Sequence, residues 1–207
     1  MLYLASASPR RKKMLKWMGL DYETVDHKVD EEAVKIKEPK DLVGELSLMK
    51  AYDVAERVNE GLVIGSDLVI ALGKNIYGKP KDKASGKKML NELKGKTHSA
   101  WCGVAVVDVE TEKSVMSVAE TKVKMKDYSD EIIEKYVEQV PVTDRAGAYG
   151  IQDEVKSYGS LVESIKGGIT TVIGMPLHYL ENLLKEFEVK PKKDWRKKCE
   201  RETGYEC

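Results

Sequence analysis

Cysteine is scarce in this chain of 207 residues: only Cys102, Cys199 and Cys207, an odd number with no Cys-x-x-Cys pair. That count predicts neither a disulfide framework nor a thiolate zinc site, and it fits a reduced intracellular setting. Net charge is absent too. Thirty-five Lys and Arg balance 35 Asp and Glu, so no global field attracts nucleic acid or an anionic membrane, and any anion must be held locally. Long apolar runs are missing. The opening stretch from Leu2 to Ala5 turns basic at Arg10, too soon for the apolar region of a signal peptide, and nothing approaches membrane-spanning length. The expectation is a soluble, cytoplasmic protein with no membrane partner and no nucleic acid. His27, His98 and His178 lack metal-type spacing and are expected in structural or surface roles. There is no P-loop signature, no Ser/His/Asp arrangement and no internal repeat.

What is present is an α/β rhythm in which short apolar runs alternate with helical patterns. Leu2 to Ala5 reads as a strand. A helix follows, with Ser8 as N-cap, Pro9 in its first turn, a buried stripe of Met14, Leu15, Trp17 and Met18, and Gly19 past its end. An amphipathic helix is expected from Pro39 to Val58, and Leu62 to Ile70 is so uniformly apolar that it predicts a strand covered on both faces. Further on come a helix through Lys87 to Leu93, a hairpin of Ala100 to Val109 with Ser114 to Met125, and a helix capped by Ser129. A strand from Leu161 to Ile165 and a helix from Pro176 to Phe187 complete the pattern. One α/β domain over residues 1–187 is predicted, followed by a charged, loosely attached tail over 188–207, rich in Lys, Arg and Glu.

Ser6-Ala7-Ser8-Pro9-Arg10-Arg11 combines a strand-to-helix turn with two guanidinium forks and two hydroxyls. Free amides and the positive end of the helix dipole converge there, as an anion site requires. Asp67 interrupts the apolar strand, and a carboxylate so placed is costly unless it is paired, bound to metal or exposed at the strand's end. It is the candidate general base. Asp30-Glu31-Glu32 offers hard oxygen ligands of the kind Mg²⁺ or Mn²⁺ prefers, with Glu31 and Asp67 as the expected metal ligands. Lys50, on the polar side of its helix, and Lys79, in the turn Gly78-Lys79-Pro80, are candidates for neutralising phosphate charge. The loop Gly147-Ala148-Tyr149-Gly150-Ile151-Gln152 places an aromatic and an amide where backbone can approach a ligand, and could frame a nucleobase.

In order and spacing, Leu4-Ala5-Ser6-Ala7-Ser8-Pro9-Arg10-Arg11, Val29-Asp30-Glu31, Lys50-Ala51, Gly65-Ser66-Asp67, Gly78-Lys79-Pro80, Gly95-Lys96-Thr97-His98, Gly147 to Gln152 and Gly174-Met175-Pro176-Leu177 resemble the Maf family across residues 2–187. The resemblance implies an elongated mixed sheet with flanking helices in two lobes around a cleft, related to the inosine triphosphate pyrophosphatases. It also implies hydrolysis of a nucleoside triphosphate to monophosphate and pyrophosphate with a divalent cation, and a homodimer, since many members are dimers. Asp67 would be the proton acceptor, Ser8, Lys50 and Lys79 would contact substrate, and Arg10 and Gln152 would help set substrate choice. The Gly-Ala-Tyr-Gly-Ile-Gln form is similar to the branch acting on dTTP and UTP. Two departures stand out: Ser66-Asp67-Leu68 replaces the usual Ala-Asp-Thr, and no glycine-rich segment follows Gln152. The alternatives are a pyrophosphatase for 7-methyl-GTP or other modified purine nucleotides, and a regulatory protein of septum formation and cell division.

Overall fold

In the computed structural model, which describes all 207 residues, the chain runs β1 (Leu2–Leu4), α1 (Pro9–Trp17), β2 (Glu23–Thr24), α2 (Pro39–Ala55), β3 (Leu62–Leu72), β4 (Asn75–Tyr77), α3 (Lys83–Leu93), β5 (Thr97–Asp108), β6 (Ser114–Met125), α4 (Asp130–Gln139), β7 (Glu154–Val155), β8 (Gly159–Ser160), β9 (Val162–Lys166), α5 (Ile169–Ile173), α6 (Leu177–Lys185) and α7 (Trp195–Thr203). The sheet is mixed, in the order β2-β1-β3-β5-β6-β9, with β4 also on β3. β1 lies parallel to β2 and β3, whereas β3, β5, β6 and β9 are successively antiparallel. β7 and β8 form a separate small hairpin.

The register leaves one edge of β3 open. β1 pairs with Leu62, Val63 and Ile64, and β4 pairs with the same edge of β3 further along, at Ile70, Ala71 and Leu72. Between them residues 65–69 have no strand partner on that edge, and Asp67 sits in the middle of the gap. The chain leaving β1 turns into α1 at the mouth of this opening.

β3 is covered on both faces because its two sets of alternating side chains feed different cores. Ile64 and Ile70 join the main apolar cluster with α1, α3, α4 and α6; Val63 joins a smaller cluster with Ala5, Ala51, Val54, Ala105 and Val107 under α2. Glycine lets α2 come this close. A Cβ at Gly65 would lie 2.1 Å from the Ser47 carbonyl oxygen, and one at Gly103 would lie 2.1 Å from that of Val43. Backbone therefore packs on backbone, and the helix face bearing Lys50 is held directly over Asp67.

Three expectations change. Residues 188–207 do not hang loose: they form α7, packed on α1, with Trp195 only 1% exposed and Cys199 fully buried. Lys192 donates its amide to the Met18 carbonyl at 2.9 Å, and Lys13 pairs with Glu202 at 2.6 Å. A single apolar pair at i and i+4 suffices to dock one face of a helix that is charged elsewhere. The three cysteines also divide differently, since Cys199 is bonded to Cys207 and only Cys102 is free. The stretch after β9 contains a further short helix, α5, on which Gly174 (φ +119°) closes the last turn. No helix is long and apolar enough to cross a membrane.

Candidate active site

The gap in β3 opens into a cleft of about 670 Å³, walled by the turn after β1, the segment around Glu31, α2 and the turn before α3. On its floor, Lys50 is 2% exposed and Asp67 7% exposed in their side chains. An ammonium and a carboxylate so buried must satisfy each other. Lys50 Nζ donates to Asp67 Oδ1 at 2.6 Å and reaches Glu31 Oε1 at 2.7 Å. One lysine thus binds two carboxylates from segments far apart in the chain. Burial alone would raise the Glu31 carboxyl; the charge and hydrogen bond of Lys50, with Lys79 and His27 behind them, outweigh it and hold Glu31 below its ordinary value. Asp67 Oδ2 receives no protein donor, although Oδ1 is committed to Lys50.

Facing this triad is the turn from Ser6 to Arg11. Ser8 takes the N-cap position of α1 but makes no side-chain cap bond; its own amide donates to Ser6 Oγ at 3.2 Å. The amides of Arg10 and Arg11 in the first helical turn therefore have no internal partner, and the dipole's positive end faces the cleft. Arg11 bends back, donating from Nε to the Gly174 carbonyl at 2.8 Å and from Nη1 to Ser6 Oγ at 3.2 Å. Arg10 points the other way. Its Nη1 donates to Asp144 Oδ2 at 3.0 Å and its Nη2 to the Asp144 carbonyl at 2.6 Å. Lys79 and Gly78 line the same cleft opposite the turn. Guanidinium, ammonium and free amides on one side with a paired carboxylate on the other are the ingredients for binding a polyanion and taking a proton from water beside it.

Arg10, Leu68, Ala146 and Ile173 also border a second cavity of about 110 Å³, which contains Gln152. Its wall is fixed by Arg145, which clamps both oxygens of Asp153, and by Tyr136, whose hydroxyl donates to Asp153 at 3.2 Å and accepts from the Gly150 amide at 3.0 Å.

A family model described as Maf-like protein matches residues 1–187. The chain belongs to the Maf family. It is 42% identical over 195 residues to a dTTP/UTP pyrophosphatase of Acetivibrio thermocellus, covering 91% of this chain and 96% of that one. It is also 42% identical over 178 residues to one from Thermotoga maritima, covering 85% and 84%. Among solved structures, the Staphylococcus aureus Ham1 protein superposes with a TM-score of 0.54 at 14% identity, covering 90% of this chain and 98% of that one, which shows a shared fold.

The structure of this Maf chain gathers Ser8, Arg10, Glu31, Lys50, Asp67 and Lys79 around one cleft and puts Gln152 in the adjoining cavity. Two single residues gain detail. His27, expected at the surface or in a structural role, lines the cleft with Nε2 3.8 Å from Glu31 Oε1, and its buried Nδ1 has no partner. Burial and then Lys50 lower its imidazole, against the pull of Glu31, so it stays neutral near pH 7. Tyr149, expected to frame a base, borders the smaller cavity while only 5% exposed, its hydroxyl hydrogen-bonded to His98 Nε2 at 2.7 Å. Burial drives that histidine down to about 4, so it too is uncharged.

Sequence reasoning did not find Asp144 or Arg145, and it gave Arg11 no role of its own within the turn. Their roles depend on contacts 134 and 163 residues away in sequence for Arg10 and Arg11. Periodicity carries no trace of such pairings.

As to a metal, Glu31 and Asp67 are hard oxygen donors that already converge on one cationic point, the Lys50 ammonium. No group of three or more His, Cys, Asp or Glu surrounds a common centre. A donor set of two carboxylates suits Mg²⁺ or Mn²⁺, whose other positions are commonly filled by water and substrate phosphates.

Proposed function

We propose that this Maf-family chain hydrolyses dTTP and UTP at the α–β phosphoanhydride, releasing pyrophosphate and the nucleoside monophosphate. One observation carries the reading: the Glu31–Lys50–Asp67 triad and the free-amide turn at Ser6 to Arg11 face each other across a single cleft. Sequence identity of 42% to dTTP/UTP pyrophosphatases supports the substrate class.

In this reading the triphosphate lies against the N-terminus of α1, with Arg10, Lys79 and Lys50 countering its charge. Asp67 is built to act as base, because Lys50 fixes its Oδ1 and leaves Oδ2 to accept a proton from water. As the water oxygen bonds to phosphorus, the bond to the bridging oxygen breaks and pyrophosphate departs with the electron pair. The cations and free amides that bound the ground state stabilise the charge shifting onto it. Glu31 and Asp67 would hold a divalent cation, which when bound supplies Lewis-acid polarisation of the phosphate oxygens. Gln152, with donor and acceptor on one amide, faces the base in the smaller cavity.

The test is pyrophosphate release across canonical and modified nucleoside triphosphates, with Mg²⁺ and with Mn²⁺, for the wild type and Asp67→Asn. dTTP and UTP should lead the ranking, and Asp67→Asn should lose roughly 10²–10⁴ in rate while keeping its circular dichroism. Near wild-type release by Asp67→Asn would remove the aspartate from the chemistry. Activity on none of the nucleotides would leave the cell-division interaction protein as the better reading.

A further inference from the structure

The names of the relatives specify a base, whereas the group that recognises the sugar is unassigned. We propose that Asp144 is a specificity-determining residue that reads the sugar, accepting a hydrogen bond from the 3′-hydroxyl common to dTTP and UTP. The inference rests on the function proposed above.

It begins with order. A nucleotide is linear, phosphate then sugar then base, and the two cavities are joined side by side. The phosphate end is the turn at Ser6 to Arg11 and the base end is the cavity with Gln152. The sugar must lie where the cavities share residues, at Arg10, Leu68, Ala146 and Ile173. Asp144 lines the main cleft and is bonded to Arg10 at this junction.

Chemistry then selects it among the nearby acids. Glu31 and Asp67 are tied to Lys50, and both oxygens of Asp153 are held by Arg145. Asp144 uses only Oδ2, which takes Arg10 Nη1 at 3.0 Å and lies 3.9 Å from Arg145 Nη1. Its Oδ1 has no protein donor, and its side chain is 45% exposed, so a hydroxyl can reach it. A lone carboxylate beside a triphosphate would repel it. Here two guanidinium groups flank the carboxylate, and the local field is neutral or positive. Arg10 meanwhile spends one N–H of each terminal nitrogen on Asp144 and keeps Nε and the remaining hydrogens for phosphate. A carboxylate accepting from a sugar hydroxyl is an established solution in nucleotide sites of other folds.

The experiment compares dTTP with 2′,3′-dideoxy-TTP, which differs at the 3′-hydroxyl alone, in the wild type and in Asp144→Ala. It measures kcat/KM by pyrophosphate release and affinity by calorimetric titration. The wild type should favour dTTP by roughly tenfold to a hundredfold, the worth of a hydrogen bond to a charged group. Asp144→Ala should bring that ratio towards one while leaving the dTTP to dCTP ratio unchanged. If Asp144 only positions Arg10, both nucleotides weaken equally and the ratio is retained, which overturns the proposal. Arg10 keeps its bond to the residue 144 backbone carbonyl in the variant, so the turn is not released outright. Hydrolysis with no hydroxyl preference in the wild type sinks the sugar contact and leaves the pyrophosphatase standing. Binding with the expected preference but no hydrolysis does the reverse, and neither binding nor hydrolysis removes both.

Discussion

Lys50→Met removes the ammonium at the centre of the triad while keeping a side chain of similar length. Asp67 Oδ1 and Glu31 Oε1 then face each other across a vacated site, separated by no more than the two contacts of 2.6 and 2.7 Å laid end to end. Removing one partner of a buried ion pair costs about 3–5 kcal/mol, because the remaining charge loses its compensation. Lys50 and Asp67, at 2% and 7% exposed, meet that description; Glu31, at 44% exposed, is screened by solvent and adds about 1 kcal/mol or less. The expected loss is therefore roughly 3–5 kcal/mol, most of it from Asp67.

The pH dependence has a definite sign. In the wild type the Glu31 carboxyl is held below its ordinary 4.5, so its contribution is present above that value and fades as pH falls through the lower, folded one. In Lys50→Met the two carboxylates repel, one is driven to take up a proton, and the pair titrates as a unit at higher pH. The deficit is then full at about pH 8 and shrinks towards about pH 5, where protonation relieves it. Urea unfolding at several pH values, in chelator to exclude metal, measures it. A deficit below about 1 kcal/mol, or one that stays flat with pH, would refute the claim that Lys50 stabilises the fold by holding two ionised carboxylates.

Gly65→Ala puts a methyl group 2.1 Å from the Ser47 carbonyl and 2.8 Å from the Ala51 amide, both backbone atoms that cannot move alone. Stability should fall by about 1–3 kcal/mol or more as α2 is pushed off β3. Because α2 carries Lys50, kcat should fall with it, and full activity at reduced melting temperature would show that the triad tolerates the shift. Reduction of Cys199–Cys207, which closes a loop with a sequence separation of 8, should cost roughly 2–3 kcal/mol. The loss should appear as faster amide exchange across α7 with little change in kcat. Equal exchange in the reduced chain would mean that Trp195 packing alone holds the helix.

Those parts of the fold governed by local rules were legible. Pro9 and Gly19 bracket α1, Ser129 accepts from the Ile132 amide at the start of α4, and the apolar run that Asp67 interrupts became a strand buried on both faces. Asp67 itself was legible for an energetic reason, since a carboxylate within an apolar strand demands a partner. The identity of that partner was not legible. Lys50 reaches it from a helix held close by Gly65, and Glu31, from a short 3-10 helix, meets the same ammonium. α7 failed the opposite way. Averaged over residues 188–207, charge hides the stripe of Trp195 and Cys199, although two apolar side chains four apart are enough to bury one face.

The location of the site follows from strand lengths. β3 spans 11 residues, whereas β1 and β4 on its edge span 3 each. They cover the two ends of that edge of β3 and leave residues 65–69 without a strand neighbour there, while β5 pairs along the other edge. Had β1 continued four residues further, it would have paired along this edge and replaced the turn from Ser6 to Arg11 with extended backbone. The Ser6 amide instead turns back to the Leu4 carbonyl at 2.9 Å, and Pro9, whose fixed φ suits the first turn of a helix, opens α1. The turn at Ser6 therefore ends strand pairing, Pro9 starts α1, and the free amides of Arg10 and Arg11 come to the cleft that holds Asp67. An anion site and a paired carboxylate share one cleft because a short strand turns away at Ser6 where the longer one continues.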